Sequence, residues 1–400
     1  HSQSIYLSEL SAFCDMNSFN DLYQNAFAKS LGVNKAFSFW KGRVALYAIL
    51  KALDIGTHDE VILPGFTCVV VPNAVLYCGA TPIYADIDPN TFSLAPVLFE
   101  QAITARTKAV IVQHTFGIPA EMDTLLAIAR KHHVAVIEDC AHAIGSEYEG
   151  KLLGTFGDAA FFSFQWSKPY STGLGGMAVT NDPLLGERIT SIQNSFVQPD
   201  WIEIRKLELQ VFVYEHFFSP SFYWTAMNSL RSLSQLGLFI GSSDQDELNC
   251  KMPSGYDKRM SPFQARKGLP KLEHIQAGID HRRHVVAEYQ RLLGQRGWLI
   301  PCPLANTTPV YLRYPMLVDN KQELLGQAKK EQIEIGSWFE SVVHPRGSPL
   351  ESANYKVGQC PIAESVVERV INLPTHPRVT DREIQRIIDF LVASSAPAVM

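Results

Sequence analysis

The sequence predicts an α/β fold built on a mostly parallel sheet with helices packed on both faces. Three observations carry this. From about residue 42 to residue 180, short β-rich apolar runs alternate with stretches of helical spacing. The apolar runs are continuous, as strands covered on both faces require. The chain has 400 residues, 46% of them hydrophobic and 19% charged, which suits a soluble globular protein with more than one domain.

Each element follows from its local pattern. Val44 to Leu53 has helical spacing, and Glu60 to Leu63 is a strand closed by Pro64 and Gly65. Val69 to Tyr77 is a helix stopped at Cys78 and Gly79, Pro82 to Ala85 a strand, Pro96 to Ile103 a helix and Ala109 to Gln113 a strand. Met122 to His132 is a helix, and Val134 to Ile137 is a strand running into Glu138 and Asp139. Ala159 to Ser163 and Met177 to Thr180 are two further strands. In such a sheet ligands gather outside the carboxyl ends of the strands, where His114, Asp139 and the segment after Ser163 fall.

The character changes at about residue 196. Residues 196–255 read as an apolar, aromatic-rich helical insertion with a polar loop from Gly241 to Asn249. A large domain is expected over 1–255 and a smaller C-terminal α+β domain over 256–400. In the latter, Gln264 to Leu293 has the period of one long helix, with Gly268 and Pro270 near its start. Tyr311 to Val318 reads as a strand, and Lys321 to Gln332 and Asp381 to Val392 as helices.

Bulk properties exclude several classes. A net charge of −5 does not suit a nucleic-acid binder, which needs a basic face. Seven irregularly spaced cysteines with no C-x-x-C suggest neither a disulfide framework nor a zinc site. The reducing cytoplasm is the expected compartment, and no basic-then-apolar leader is visible at the N-terminus. The most apolar stretch, Val211 to Ile240, is interrupted by Glu215, His216, Asn228 and Arg231, and reads as core or interface helices, not a membrane span.

Three segments carry chemistry. The first is Phe161-Phe-Ser-Phe-Gln-Trp-Ser-Lys168, followed by Pro-Tyr-Ser-Thr-Gly-Leu-Gly-Gly176. A buried strand delivers a lysine on a rigid element, and the glycines after it let backbone approach closely. A lysine so placed suits Schiff-base chemistry with pyridoxal phosphate (PLP), although a solvated lysine is the default reading of Lys168 taken alone. The second is Val136-Ile-Glu-Asp139-Cys-Ala-His142. An acid at the carboxyl end of an apolar strand can hold the pyridine nitrogen of PLP protonated, and a helix N-cap is the equal alternative for Asp139. His142 can hydrogen-bond the ring hydroxyl or the acid, or be a satisfied core histidine. The third is Trp40-Lys-Gly-Arg43, where Gly42 and Arg43 open an apolar helix whose N-terminus suits a phosphate.

In chain order, a helix-start glycine, a strand-end aspartate, then a strand-end lysine with Ser163 five residues before it, the segments resemble the DegT/StrS family of PLP-dependent nucleotide-sugar aminotransferases, of the aspartate-aminotransferase fold type. The resemblance runs through Gly32-Val33, Asp59 to Pro64, Gly79 to Pro82, Asp86 to Pro89, Thr107 to Ile111, His114, Gly117 and Pro119 to Asp123. It continues through Glu138-Asp139, Gly157-Asp158, Ser163-Phe164, Arg259-Met260, Gln264-Ala265 and Leu373 to Pro377. It implies that Lys168 is the Schiff-base lysine and proton shuttle, Asp139 the pyridinium partner and His142 its neighbour near the ring hydroxyl. It also implies that Ser163, Gly42 and Arg43 hold the phosphate, and that the enzyme is a homodimer in which Asp257 reaches the partner subunit's phosphate. The implied reaction moves an amino group from an amino acid, L-glutamate foremost, to a keto-sugar carried on a nucleotide.

The chain also departs from the pattern. Lys41-Gly42-Arg43 stands where the family has Ser-Gly-Thr, Cys68 where an aromatic stacks on the PLP ring, Asp257 where it has Asn, and Leu174 where an acid is common. Arg43 and Asp257 are expected to compensate each other across the dimer. A PLP enzyme with a non-sugar acceptor or another reaction, and a non-catalytic regulatory homologue, stay as rival readings. Lys168 argues against the family's dehydratase branch, where histidine replaces it. The charged helices holding His132, His133, His281 and His284 read as surface, and no metal site is expected. In the small domain, Trp338, His344 and His376 are placed either at the substrate entrance or in packing.

Overall fold

The structure is a computed structural model and describes residues 16–217, 241, 243, 245–298 and 304–395. Seven strands form its central sheet: β1 (Lys35–Phe39), β2 (Glu60–Pro64), β3 (Thr81–Ala85), β4 (Thr107–Gln113), β5 (Ala135–Asp139), β6 (Ala159–Ser163) and β7 (Gly176–Thr180). Their order across the sheet is β1-β7-β6-β5-β4-β2-β3. The four pairings from β6 to β3 are parallel, and β7 is antiparallel to both β6 and β1. Two antiparallel steps turn β1 back into the direction of β6. The carboxyl ends of β1, β4, β5 and β6 therefore open on one edge, and everything the sheet offers a ligand is collected there.

Burial explains the continuous apolar strands. Val61, Leu63, Ala109, Ile111, Ile137 and Phe161 point into one core, and Ile62, Val110, Val112, Val136, Ala160 and Phe162 into the other. Side chains alternate between faces along a strand, so a strand covered on both sides shows no polar alternation. Helices α1 (Met16–Leu31), α2 (Gly42–Ala52), α3 (Val70–Tyr77), α4 (Pro96–Ala102), α5 (Met122–His132) and α6 (Pro183–Ser195) supply the cover. The short β1, which starts on exposed Lys35, has no apolar run long enough to stand out in the sequence.

Helix α7 (Trp201–Phe217) begins the insertion. Residues 218–240, most of the apolar stretch noted above, lie outside the described residues. The loop expected over 241–249 contains a helical turn at Gln245–Leu248. The long helix expected over Gln264 to Leu293 is two: α8 (Pro262–Glu273) and α9 (Ile275–Gln295), parted at His274. Gly268 and Pro270 do not break α8. A Ser261–Gln264 capping box starts it, and Gly268 is there because the helix crosses the Tyr23 ring, which a Cβ would approach to 2.7 Å. Strands β8 (Arg313–Leu317) and β9 (Val370–Pro374) pair antiparallel, with α10 (Lys321–Lys330), α11 (Pro361–Arg369) and α12 (Asp381–Ser394) around them. No helix among the described residues is long and apolar enough to cross a membrane.

Beneath the site, Glu138 ties two loops to the sheet. Its carboxylate accepts from the backbone N–H groups of Gly154, Phe156 and Gly157 at 2.8–2.9 Å, and Nε2 of His114 lies 3.2 Å away. His114 Nδ1 accepts the N–H of Ala120, so its other nitrogen donates to Glu138. Together with Cys140 these are the one set with metal-ligand spacing among the described residues, but both ring nitrogens are already used. Glu138→Ala strands buried donors on both loops and should cost about 3–5 kcal/mol. Urea denaturation reads this, and a loss under about 1 kcal/mol would contradict the assignment.

Candidate active site

The carboxyl ends of the strands open into one cavity. Lys168, Asp139, His142, Ser163, Gly42, Arg43 and Cys68 all line it, so seven of the eight site residues named from the sequence lie together. Asp257 does not line its own chain's cavity; its backbone carbonyl accepts the N–H of Val197 at 3.1 Å.

One pole is the start of α2. The helix begins at Gly42 with no side-chain cap from Lys41, which leaves its N-terminal dipole facing the cavity. A Cβ at Gly42 would stand 2.8 Å from the Cβ of Ser163 and 3.0 Å from the carbonyl oxygen of Phe162, so only glycine lets helix and strand end meet here. Arg43 is buried, and its guanidinium lies 2.5 Å from Glu247, with Lys41 Nζ 3.7 Å from the same carboxylate. Burial works against the Arg43 charge, but Glu247 more than offsets it and the pKa rises. Arg43 is thus answered within its own chain by a residue of the insertion, so it does not need Asp257 of a partner, as the sequence suggested.

At the centre are Asp139 and Lys168. Asp139 ends β5, and one carboxylate oxygen accepts the N–H of Ala141 at 2.9 Å. Burial pushes its pKa up to about 6, against the pull of that N–H and of Lys168. Lys168 is held by a closed loop: Phe164 N–H bonds Gly175, Thr172 N–H bonds Phe164, and Lys168 N–H bonds Gln165, all at 2.9–3.0 Å. Gly173, at φ 89°, lets this loop turn back. Burial lowers the lysine pKa to about 8, with Asp139 opposing. His142 Nδ1 accepts the N–H of Phe116 at 3.2 Å, and burial holds its pKa well below the ordinary value. It is neutral at pH 7, with Nε2–H as its donor.

The far wall comes from the C-terminal part. Trp338 and Phe339 line the cavity, and Lys168 Nζ stands 4.9 Å from the centroid of the Trp338 ring. Trp338 also faces the His142 ring at 5.1 Å and donates its indole N–H to His344 Nε2 at 2.7 Å. Cys68 and His344 sit opposite each other in a short parallel pairing, so the strand beside the thiol is the one that anchors the tryptophan. Burial raises the Cys68 pKa and keeps the thiol neutral. His376 is elsewhere, bonded to Glu334.

Some wall residues escaped the reading from sequence. Gln113 ends β4, as Asp139 ends β5, and bonds Thr67 and Thr115 at 2.7 Å, so its strand-end position could have flagged it. Arg313, which is not among the lining residues, opens β8 with its Cζ 5.2 Å from the Trp338 ring. Leu174, in place of an acid, packs with Trp40, Leu207, Val211 and Phe263, so the insertion explains that departure: α7 seals the loop behind the lysine.

These residues suit pyridoxal phosphate. There is a glycine cradle at a helix N-terminus for a phosphate, a buried carboxylate that a cationic ring nitrogen would relieve, and an amine of lowered pKa between them.

Comparison with known proteins gives the family. The profile of the DegT/DnrJ/EryC1/StrS aminotransferase family matches residues 8–210 and 224–392. GDP-perosamine synthase of Caulobacter vibrioides is 32% identical over 369 residues, covering 92% of this chain and 87% of that protein. The UDP-N-acetyl-3-dehydro-alpha-D-glucosamine 3-aminotransferase of Acidithiobacillus ferrooxidans is 31% identical over 357 residues, covering 89% and 83%. Among solved structures, DesV of S. venezuelae superposes with a TM-score of 0.73 at 26% identity, covering 94% of this chain and 88% of that one.

Proposed function

Since the chain belongs to the DegT/DnrJ/EryC1/StrS aminotransferase family, we propose that it is a PLP-dependent enzyme that moves an amino group from an α-amino acid, L-glutamate foremost, to a keto-sugar carried on a nucleotide. The observation that carries this reading is the convergence of Lys168, Asp139, His142, Ser163 and Gly42 on one cavity. The sugar nucleotides named for its relatives support the acceptor class.

The chemistry divides among the residues. Gly42, Ser163 and the N-terminal dipole of α2 would hold the phosphate. Asp139 would hold the proton on the ring nitrogen, and the neutral His142 would offer Nε2–H to the ring hydroxyl. Bound PLP supplies an electron sink for charge developing at the donor's α-carbon. Lys168 would fix the cofactor and, once freed, carry the proton at that carbon, work for which its pKa of about 8 suits it. Trp338 would form the wall on the substrate side.

The division of labour follows the chain, with a cofactor-holding part up to about residue 255 and a smaller part after it that closes the cavity. Asp257, outside its own cavity, would face the partner subunit's site in a homodimer. Incubating the loaded protein with L-glutamate and a panel of keto-sugar nucleotides should give one aminated product by mass spectrometry, with 2-oxoglutarate in equal amount. Amination of a simple keto acid, with none of the sugar nucleotides consumed, would overturn the acceptor class.

A further inference from the structure

We infer that Gln264 is a positioning residue that fixes the span between the two anchors of the cofactor, the phosphate seat at Gly42 and the amine of Lys168. This rests on the PLP reading above and adds to it a residue that does not line the cavity. A cofactor held at two points binds well only if the points stand at the right distance. Here the two points come from different parts of the chain. Gly42 follows β1, and Lys168 lies on the loop between β6 and β7.

Gln264 touches both parts. It is wholly buried, and its side-chain amide donates to the carbonyl oxygen of Trp40 at 3.2 Å and to that of Leu174 at 2.9 Å. Trp40 stands two residues before Gly42. Leu174 precedes Gly175, whose carbonyl closes the lysine loop by accepting the N–H of Phe164. The ladder between β1 and β7 ends with Phe39 opposite Gly176. Beyond that pair the two chains part, one into α2 and the other into the lysine loop. The Gln264 amide joins them just where the ladder stops.

The amide is itself held still. Its oxygen accepts the N–H of Ser261 at 2.8 Å and the Ser261 hydroxyl at 2.9 Å, as part of the capping box of α8. With its oxygen and both N–H groups engaged, the amide cannot turn without losing bonds. The same segment grips the strand end through its backbone, where the Lys258 carbonyl accepts the N–H of Trp40 at 3.1 Å. Asn20 of α1 in turn donates to the Met260 carbonyl at 2.9 Å. A capping box needs only an acceptor oxygen at this position, which glutamate supplies as well as glutamine. The two N–H groups are surplus to the cap, and both go to the segments that carry the cofactor's anchors.

The test compares PLP with pyridoxal, the same aldehyde without the phosphate, by absorbance titration of the lysine-linked form. Pyridoxal needs only Lys168, so the ratio of the two affinities reads how well the phosphate seat is placed. Gln264→Glu keeps the oxygen that the cap needs and sets a second acceptor against the two carbonyls. It should lower the PLP-to-pyridoxal ratio by at least about tenfold, with pyridoxal affinity within about twofold of the wild type. Gln264→Asn, whose amide is withdrawn by one carbon, is the milder variant should the first not fold, and should lower the ratio by about threefold or more. Ser261→Ala removes the cap and leaves the amide donors, so it should melt lower while holding the ratio within about twofold. An unchanged ratio in a folded Gln264 variant would overturn the assignment and leave the PLP reading intact. Equal losses for both aldehydes would assign Gln264 to the lysine loop alone and also overturn it. So would a ratio that falls as far in Ser261→Ala, since the effect would then be one of general stability. A wild type that links neither aldehyde to Lys168 would overturn the PLP reading as well.

Discussion

Lys168→Ala abolishes amino transfer, with kcat falling by more than about 10⁴-fold, the upper end of what one positioned acid-base group supplies. The protein should nevertheless fold, and the sign of the lysine's pKa shift says why. Burial lowers the folded-state pKa from 10.5 to about 8. Between those values the unfolded chain binds more protons than the folded one, so stability rises with pH there, and below about pH 8 the buried ammonium costs stability in full. Removing it therefore relieves the apoprotein at neutral pH, and the variant should melt no lower than the wild type. The same shift predicts that capture of PLP by the wild-type apoprotein accelerates up to about pH 8 and then levels, where an exposed lysine would continue to gain towards pH 10. Stopped-flow absorbance reads this. A melt several degrees lower, or residual turnover in Lys168→Ala, would show that the lysine is structural or that the reacting amine is elsewhere.

Asp139→Asn is the second large effect. Asparagine keeps the shape and can still accept the Ala141 N–H, but it cannot balance a positive ring nitrogen. We expect kcat to fall about 10²–10³-fold while the cofactor stays linked to Lys168, since the loss is of charge stabilisation and not of attachment. Burial pushes this carboxyl up to about 6, so a cationic ring nitrogen beside it should draw the value down again. PLP should thus bind the wild type less tightly as pH falls below about 6, and this dependence should vanish in Asp139→Asn. Steady-state kinetics with a binding series from pH 5 to 8 separates the two. An Asn variant with near-normal kcat would remove Asp139 from the chemistry and return it to the role of a loop cap.

Much of the site could be read from the sequence because it lies at strand ends. Asp139 closes β5, Ser163 closes β6 and Gly42 opens α2, and in a parallel sheet those positions share an edge whatever the details of packing. The order of strands was less legible. Nothing in Lys35–Phe39 announces that β1 returns to that edge through an antiparallel β7, yet this is what places Gly42 against Ser163. The remainder depends on contacts distant in the chain. Glu247 answers Arg43 across some 200 residues, so Arg43 read from sequence alone seemed to need a partner subunit. The loss of an aromatic at Cys68 left a gap that the sequence could not fill, and the structure places Trp338 in the same wall through the pairing of Cys68 with His344. Leu174 looked anomalous until α7 was seen to pack Leu207 and Val211 against it.

One measurement tests the central claim most directly: the absorbance spectrum of the purified protein with PLP, then with L-glutamate, beside Lys168→Ala. The account predicts a visible band from the lysine-linked cofactor, absent in its normal form from the variant. L-glutamate should bleach that band as the cofactor takes up the amino group, and a keto-sugar nucleotide should restore it. No band in the wild type, or the same band in Lys168→Ala, would contradict the assignment of Lys168 as the residue that holds the cofactor.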